Sequence, residues 1–199
     1  MRTPALVEIT EPIRTARLLL RPFEPADQAE LFDMQSRPEV ARYLYWEPRT
    51  PAGSEESLIR KIASTRIGSE GETLNLAVTP RHGGPLVGDV VLTYLSAVHR
   101  QAEVGYLFHP DAGGQGLATE ATAVLVGLAF DELGVHRVQA RLDPRNTPSA
   151  RLLERLGMQR EALLIENEWV KGEWVDEAVY AIRADQWAAA GGGSRFGVL

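Results

Sequence analysis

A glycine-rich turn between a predicted strand and a predicted helix constrains this chain more than any other stretch. The strand covers residues 103–108 and ends before Pro110, because a proline cannot donate to the next rung of a sheet. The helix begins near Leu117, where apolar residues start to recur at three- and four-residue intervals. The first amides of a helix have no internal partners and carry partial positive charge. The turn between the strand and the helix is rich in small residues, which leave room for an anion to approach these amides. The turn therefore predicts an anion site. Its glycines are Gly113, Gly114 and Gly116.

Two familiar phosphate motifs do not fit this turn. A P-loop requires Gly-Lys-Ser or Gly-Lys-Thr, and the chain has no lysine between Lys61 and Lys171. A Rossmann fingerprint requires a third glycine where Thr119 stands, and an acidic residue about 20 residues further on. Asp143 loosely meets the second condition, so dinucleotide binding stays open as an alternative.

Composition predicts one cytoplasmic domain. With 199 residues, 44% of them hydrophobic, the chain can bury a full core. It has no cysteine, and its four histidines are widely spaced, so we expect no metal site. No apolar run approaches the roughly 18 to 20 residues of a membrane span, and the N-terminus lacks the apolar core of a signal peptide. A net charge of -6 argues against sequence-independent nucleic-acid binding. We expect a monomer or a homodimer with neither a membrane nor a nucleic-acid partner.

The order of the predicted elements indicates an α/β fold with a mixed sheet. Short connections make three central strands an antiparallel meander, and the helix from residue 117 to 133 is long enough to cross over to a parallel strand. The predicted strands cover residues 17–22, 74–78, 86–95, 102–108, 136–142, 163–170 and 174–182, and further helices start near residues 25, 54 and 148. Residues 1–14 are predicted to be an extension, residues 15–187 the domain, and residues 188–199 a glycine-rich flexible tail.

Four segments, in this order and spacing, resemble the GNAT superfamily of N-acetyltransferases. Within it they are most similar to the RimJ and RimL branch, which acetylates the N-termini of ribosomal proteins. The resemblance covers residues 15 to 183. Its segments are Thr15-Ala16-Arg17-Leu18-Leu19-Leu20-Arg21, Gly114-Gln115-Gly116-Leu117-Ala118-Thr119-Glu120-Ala121, Asn146-Thr147-Pro148-Ser149-Ala150-Arg151-Leu152-Leu153-Glu154-Arg155-Leu156-Gly157-Met158 and the hairpin 168–180. The resemblance implies a mostly antiparallel central sheet, a splayed parallel strand pair that admits coenzyme A, and helices on both faces.

The resemblance also implies that acetyl-coenzyme A is the cosubstrate. Amides of the turn would bind its pyrophosphate, strand backbone would pair with its pantetheine arm, and Asn146 would bond the arm from the other side. Judged from its neighbours alone, Asn146 is a turn residue. Many members of the superfamily have Gln or Arg where this chain has Gly113, so one side-chain contact to phosphate is missing. The coenzyme contacts so implied are Leu107, Phe108, Gly113, Gly114, Gln115, Gly116, Leu117, Ala118, Thr119 and Asn146.

The implied reaction is direct attack of a primary amine on the acetyl thioester in a ternary complex. Many members use a tyrosine to protonate the leaving thiolate, but this chain has Leu153 there. In the ribosomal-protein branch a serine one helical turn earlier corresponds to Ser149, and the glutamate proposed as base, acting through water, corresponds to Glu168. Glu103 is the second candidate for the base. The alternatives are that Ser149 only bonds nearby backbone and that both glutamates are solvated strand residues.

An acceptor cleft is predicted from aromatic residues on either side of the expected acetyl position. Ring faces attract ammonium groups, so the cleft would suit an amine that is charged in solution. The alternative is that these residues are core or loop packing. The predicted walls are Tyr43, Tyr45 and Trp46 on a connecting loop, and Trp169 and Trp174 on the last hairpin.

The sequence leaves the acceptor open. A protein N-terminal amine and a small amine, such as a polyamine, an aminoglycoside or a peptide antibiotic, would use the same site. A coenzyme A binding module without catalysis is the alternative from another functional class.

Overall fold

The structure is a computed structural model that describes residues 6–196, with the backbone alone for residues 195 and 196. The helices are α1 (Gln28–Gln35), α2 (Pro38–Ala41), α3 (Pro51–Ala63), α4 (Leu117–Asp131), α5 (Thr147–Arg155) and α6 (Ala184–Ala189). The strands are β1 (Val7–Glu8), β2 (Ile13–Arg14), β3 (Leu18–Arg21), β4 (Arg66–Ile67), β5 (Thr73–Pro80), β6 (Gly88–Ser96), β7 (Gln101–Phe108), β8 (Arg137–Leu142), β9 (Gln159–Val170) and β10 (Glu173–Arg183). Three 3-10 turns cover Pro25–Asp27, Pro110–Ala112 and Gly192–Phe196.

Eight of the strands form one sheet in the order β2-β3-β5-β6-β7-β8-β10-β9, and β1 pairs with β4 apart from it. Neighbours in the large sheet are antiparallel except β7 and β8, which are parallel. The parallel register covers three residue pairs and ends at Glu103 opposite Gln139, although β7 continues to Phe108 and β8 to Leu142. The two strands therefore separate halfway along their length, which confirms the predicted mixed sheet with a splayed parallel pair.

Helices cover both faces of this sheet, as predicted. On one face α4 and α5 pack against alternating strand residues such as Leu76, Leu92 and Val104, and the buried residues of this cluster form the larger core. On the other face α1 and α3 contribute Leu31 and Leu58 to a smaller core. Since side chains alternate across a strand, one row of β5 residues faces each core.

A buried carboxylate joins the start of the domain to α4. Glu120 is 3% exposed and accepts hydrogen bonds from the Thr15 hydroxyl at 2.6 Å and from the Arg17 backbone amide at 3.0 Å. The Arg17 side chain adds a third bond from Nε at 2.7 Å. Thus the first two of the four family-like segments lie against each other, at the end of α4 that follows the glycine-rich turn.

The predicted start of one helix was wrong. Helix α3 starts at Pro51 instead of near residue 54, because the Thr50 hydroxyl caps it by accepting the Gly53 amide at 3.2 Å, and it ends at Ala63. Residues 184–189 form α6, which runs from the predicted domain into the first two residues of the predicted tail. Its Trp187 is 2% exposed, and the centroid of its ring lies 6.3 Å from that of Phe130.

Parts of both predicted termini lie outside the described residues. The structure does not describe residues 1–5 of the expected N-terminal extension or residues 197–199 of the expected tail. The rest of the extension includes β1, where Val7 is buried. Within the described chain no helix is both long and apolar enough to cross a membrane.

Candidate active site

A cleft of about 1150 Å³ opens where β7 and β8 separate. Its walls include residues 104–108 of β7 and residues 140–142 of β8. The loop before α4 and the first turn of α5 line one part, and residues 42–46 after α2 line another. A ligand in this cleft can therefore contact the glycine-rich turn, the unpaired strand edges and the aromatic loop together.

The glycine-rich turn has a backbone that larger residues would distort. A Cβ atom on Gly113 would lie 2.8 Å from the Pro110 carbonyl oxygen, because the 3-10 turn Pro110–Ala112 folds that oxygen back. Gln or Arg at this position would thus require the backbone to move. Gly116 has φ 75° and is the N-cap of α4, a left-handed conformation that glycine adopts without strain.

The N-terminus of α4 faces the cleft without a capping side chain. Residues 113–119 all line the cleft, so the predicted loop contacts lie together. Two arginines stand beside them. Arg155 of α5 donates to the Thr119 hydroxyl at 3.1 and 3.2 Å, and Arg17 donates to the Gln115 carbonyl at 2.7 Å. Uncapped amides, the helix dipole and these cations together suit an anion such as a phosphate group.

The other implied coenzyme contacts also line the cleft. Leu107 and Phe108 lie on β7 beyond its pairing with β8, and Asn146 lies across the cleft at the start of α5. The Asn146 side chain accepts the Ser149 amide at 3.2 Å as the N-cap of this helix. Asn146 therefore has a structural task besides the implied contact, which agrees with its interpretation as a turn residue.

Ser149 has a partner that the sequence did not identify. The Tyr106 hydroxyl lies 2.6 Å from Ser149 Oγ and 3.2 Å from the Ser149 carbonyl oxygen, and both residues line the cleft. Burial raises the pKa of Tyr106 to about 12, so its phenol stays protonated. Leu153, at the position of the usual tyrosine, is fully buried. The alternation of Ala102, Val104 and Tyr106 places Tyr106 on an inward face, but no sequence pattern indicates Ser149 as its partner.

The two candidate bases occupy different surroundings. The Glu168 side chain is 37% exposed and lies 4.0 Å from Arg141 and 3.4 Å from the Asn167 amide nitrogen. Glu103 accepts a hydrogen bond from Gln139 at 2.9 Å, at the last registered pair of β7 and β8. Both side chains lie outside the lining of the cleft, so a water molecule would have to connect either one to an amine there.

A third carboxylate, Glu177, was missed by the sequence analysis. Its side chain is only 1% exposed, and it accepts hydrogen bonds from the Tyr45 hydroxyl at 3.0 Å and from Asn167 at 3.0 Å. It also forms an ion pair with Arg141. Desolvation and the charge of Glu177 raise the pKa of Tyr45 to about 12. Because Tyr45 and Arg141 both line the cleft, Glu177 fixes two wall residues from behind.

The structure brings only part of the predicted aromatic wall into the cleft. Tyr43, Tyr45 and Trp46 line it, and the Arg49 guanidinium lies 4.7 Å from the Trp46 ring centroid. Trp169 and Trp174 lie outside the lining, are 61% and 57% exposed, and pack edge to face on each other at 5.3 Å. They are cross-strand partners of the hairpin, which explains their mutual contact.

Comparison with known proteins agrees with this geometry. Residues 17–159 match the family model of the acetyltransferase (GNAT) domain. The uncharacterized N-acetyltransferase YnaD of Bacillus subtilis strain 168 is 30% identical over 177 residues, which cover 88% of this chain and 98% of that protein. The uncharacterized N-acetyltransferase p20 of Bacillus licheniformis is 29% identical over 178 residues, 89% of this chain and 99% of that protein.

Solved structures give the same result. A GNAT-family acetyltransferase from Bacillus anthracis superposes with a TM-score of 0.79 at 28% identity, covering 88% of this chain and 99% of its own. A probable GNAT-family acetyltransferase from Chromobacterium violaceum superposes with a TM-score of 0.81 at 26% identity, covering 94% of this chain and 93% of its own. This chain therefore belongs to the GNAT family of N-acetyltransferases, enzymes that use acetyl-coenzyme A, and is an acyltransferase.

Proposed function

We propose that this enzyme transfers the acetyl group of acetyl-coenzyme A to the α-amino group of a peptide or protein N-terminus, as the RimJ and RimL branch does. The observation that carries the proposal is that both candidate bases, Glu168 and Glu103, lie outside the cleft lining, which favours an acceptor amine that is partly neutral near pH 7. Coenzyme binding, the chemistry at the amine and the choice of acceptor each have separate support.

The coenzyme would bind with its pyrophosphate at the uncapped start of α4. No side chain caps α4 at Gly116, the residues before and after it line the cleft, and Arg155 adds a positive charge beside Thr119. The pantetheine arm would run between Leu107 and Phe108 on one side and Asn146 on the other. This route ends near the pair Tyr106 and Ser149, which would then lie at the thioester.

An α-amino acceptor makes modest demands on the base. Its pKa of about 7.7 to 8.0 leaves a useful neutral fraction near pH 7, whereas a lysine amine at about 10.4 is almost fully protonated. Glu168 is partly solvated and lies outside the cleft lining, so it would take the proton through water. Glu103 stays the alternative, although its bond to Gln139 occupies part of its capacity.

The charges of the lining are largely paired. Among the described residues, the whole cleft is lined by seven basic side chains, Arg42, Arg49, Lys61, Arg141, Arg145, Arg155 and Lys171, and by five acidic ones, Glu39, Asp89, Asp143, Glu173 and Asp176. Arg141 also pairs with Glu177 behind the wall, and Arg155 would face the coenzyme phosphate, so the lining charge does not choose between a peptide N-terminus and a polyamine. One relative carries a name that agrees with the proposed acceptor: the putative ribosomal N-acetyltransferase YdaF of Bacillus subtilis, which is 27% identical over 85% of this chain.

A polyamine is the second candidate because of another relative. The spermidine N(1)-acetyltransferase of Escherichia coli K12 is 25% identical over 78% of this chain. The aromatic ring of Trp46 would suit an ammonium group, although Arg49 already stacks near it.

Mass spectrometry of a reaction mixture tests the proposal. The purified protein is incubated with isotope-labelled acetyl-coenzyme A and a dialysed lysate of its host, with spermidine added in a parallel sample. We expect new labelled acetyl groups on protein α-amines. Label found only on spermidine would support the second candidate, and label on neither, despite coenzyme binding, would exclude both acceptors.

A further inference from the structure

We infer that Tyr106 is a positioning residue that directs the Ser149 hydroxyl proton toward the sulfur of coenzyme A. The inference rests on the proposed binding of acetyl-coenzyme A in the cleft, but it does not depend on which amine is acetylated.

The Tyr106 hydroxyl lies close to two oxygen atoms of Ser149 that could accept its proton in a hydrogen bond. The Tyr106 hydroxyl is 2.6 Å from Ser149 Oγ and 3.2 Å from the Ser149 carbonyl oxygen. Tyr106 lies on β7 in the part that has left β8, and Ser149 lies in the first turn of α5. The contact therefore bridges the two sides of the cleft at the place where the strands separate.

Either hydroxyl could donate in this contact, and we assign the donor to Tyr106. Its phenol keeps its proton because burial raises its pKa to about 12. When the phenol donates to Ser149 Oγ, the serine proton is free to point into the cleft. Without Tyr106, a serine in the first turn of a helix commonly bonds a backbone carbonyl of its own helix. The tyrosine therefore keeps the serine proton available to a ligand.

The same bond helps the serine give up its proton. In the proposed reaction the amine nitrogen bonds to the acetyl carbon, the carbon–sulfur bond breaks, and its electron pair stays on sulfur. Ser149 gives its proton to this thiolate and takes another from solvent, while the amine loses its surplus proton through water. The charge that develops on Ser149 Oγ is stabilised by the Tyr106 donor, since hydrogen bonds to charged oxygens are the stronger kind. Tyr106 itself keeps its proton throughout.

The test measures the thiol pKa of bound coenzyme A from the ultraviolet absorbance of its thiolate, with no acceptor present. A hydrogen bond to a thiolate lowers its pKa. We expect Tyr106→Phe and Ser149→Ala each to raise the pKa of the bound thiol by about one unit, while the Kd of coenzyme A stays within about twofold of wild type. The double variant should equal Ser149→Ala, because Tyr106 acts only through the serine. Tyr94→Phe is the control, since Tyr94 is buried and outside the cleft.

Turnover gives the second readout. With any amine that the enzyme accepts, Tyr106→Phe should lower kcat by about tenfold and leave the KM of acetyl-coenzyme A nearly unchanged. Should Tyr106→Phe be too unstable to purify, an unchanged thiol pKa in Ser149→Ala would still overturn the inference, because Tyr106 acts only through the serine.

Three results would overturn the inference: an unchanged thiol pKa in Tyr106→Phe, additive effects in the double variant, or no binding of coenzyme A by the wild type. If the thiol pKa responds to Tyr106 but no α-amine is acetylated, only the proposed acceptor fails.

Discussion

The guanidinium of Arg17 donates its Nε proton to the buried carboxylate of Glu120 across 2.7 Å, and so joins the first long strand to the helix that follows the glycine-rich turn. Glu120→Gln keeps the shape of the side chain but removes its charge. We expect the free energy of unfolding to fall by about 1.5 to 3 kcal/mol, because charge-assisted bonds of a buried acceptor are lost. Urea denaturation measures this change.

The control for that variant lies at the other end of the same helix. Glu132 is exposed and follows the last turn of α4, so Glu132→Gln should change the free energy of unfolding by no more than about 0.5 kcal/mol. Equal stability of the two variants would show that the Glu120 network does not stabilise the fold.

Substituting Gly116 tests the phosphate site. Gly116→Asp should weaken coenzyme A binding by at least about a hundredfold, since bulk and negative charge would occupy the phosphate position, and each factor of ten costs about 1.4 kcal/mol. Gly134→Asp is a matched control: its φ of 70° resembles the 75° of Gly116, and no neighbouring atom obstructs a Cβ there. Scanning calorimetry should find a similar loss of thermal stability in both variants, and titration calorimetry should find normal coenzyme A binding for the Gly134 variant. If both variants bind equally well, the coenzyme lies elsewhere.

Replacing Glu168 or Glu103 by glutamine tests which of the two is the general base. Glu168→Gln should lower kcat by about 10²-fold or more if Glu168 is the base, without raising the KM of acetyl-coenzyme A. Glu103→Gln should then have a small effect, because its main partner is Gln139. Steady-state kinetics with a peptide acceptor distinguishes the two, and the reverse ranking would assign the base to Glu103.

Substituting one tryptophan inside the cleft and one outside it tests whether the aromatic wall binds the acceptor. Trp46 lines the cleft, so Trp46→Ala should raise the KM of the amine acceptor more than that of acetyl-coenzyme A. Trp174 is exposed outside the cleft, and Trp174→Ala should leave both constants unchanged. If the Trp174 variant alone affects the acceptor, then the hairpin, and not the loop after α2, binds it.

The sequence predicted the parts of the site that follow from local rules. Residues 113–117 read as an anion-binding turn because glycine, proline and helix periodicity act over a few residues. The separation of β7 from β8 required the family resemblance, since nothing in either strand alone specifies where their pairing ends.

The parts that were missed depend on contacts between distant segments. Glu177 lies two residues from both Val175 and Val179 on its strand. Because side chains alternate along a strand, the sequence places all three on the same face of the sheet. That pattern could have indicated a buried carboxylate, but its partners Tyr45 and Arg141 come from other elements. Trp169 and Trp174 were expected in the cleft because hairpins of this fold reach the acetyl group. The hairpin instead presents them to solvent, which strand alternation alone could not decide.

Acetylation of a lysine-free peptide with a free α-amine, compared with the same peptide blocked at that amine, tests the central claim most directly. Released thiol and acetylated peptide are measured together. We predict equal amounts of both with the free peptide, at a rate that rises with pH until the amine titrates at about 7.7 to 8.0, and no thiol above background with the blocked one. Equal thiol release with both peptides, or none with either, would contradict the account.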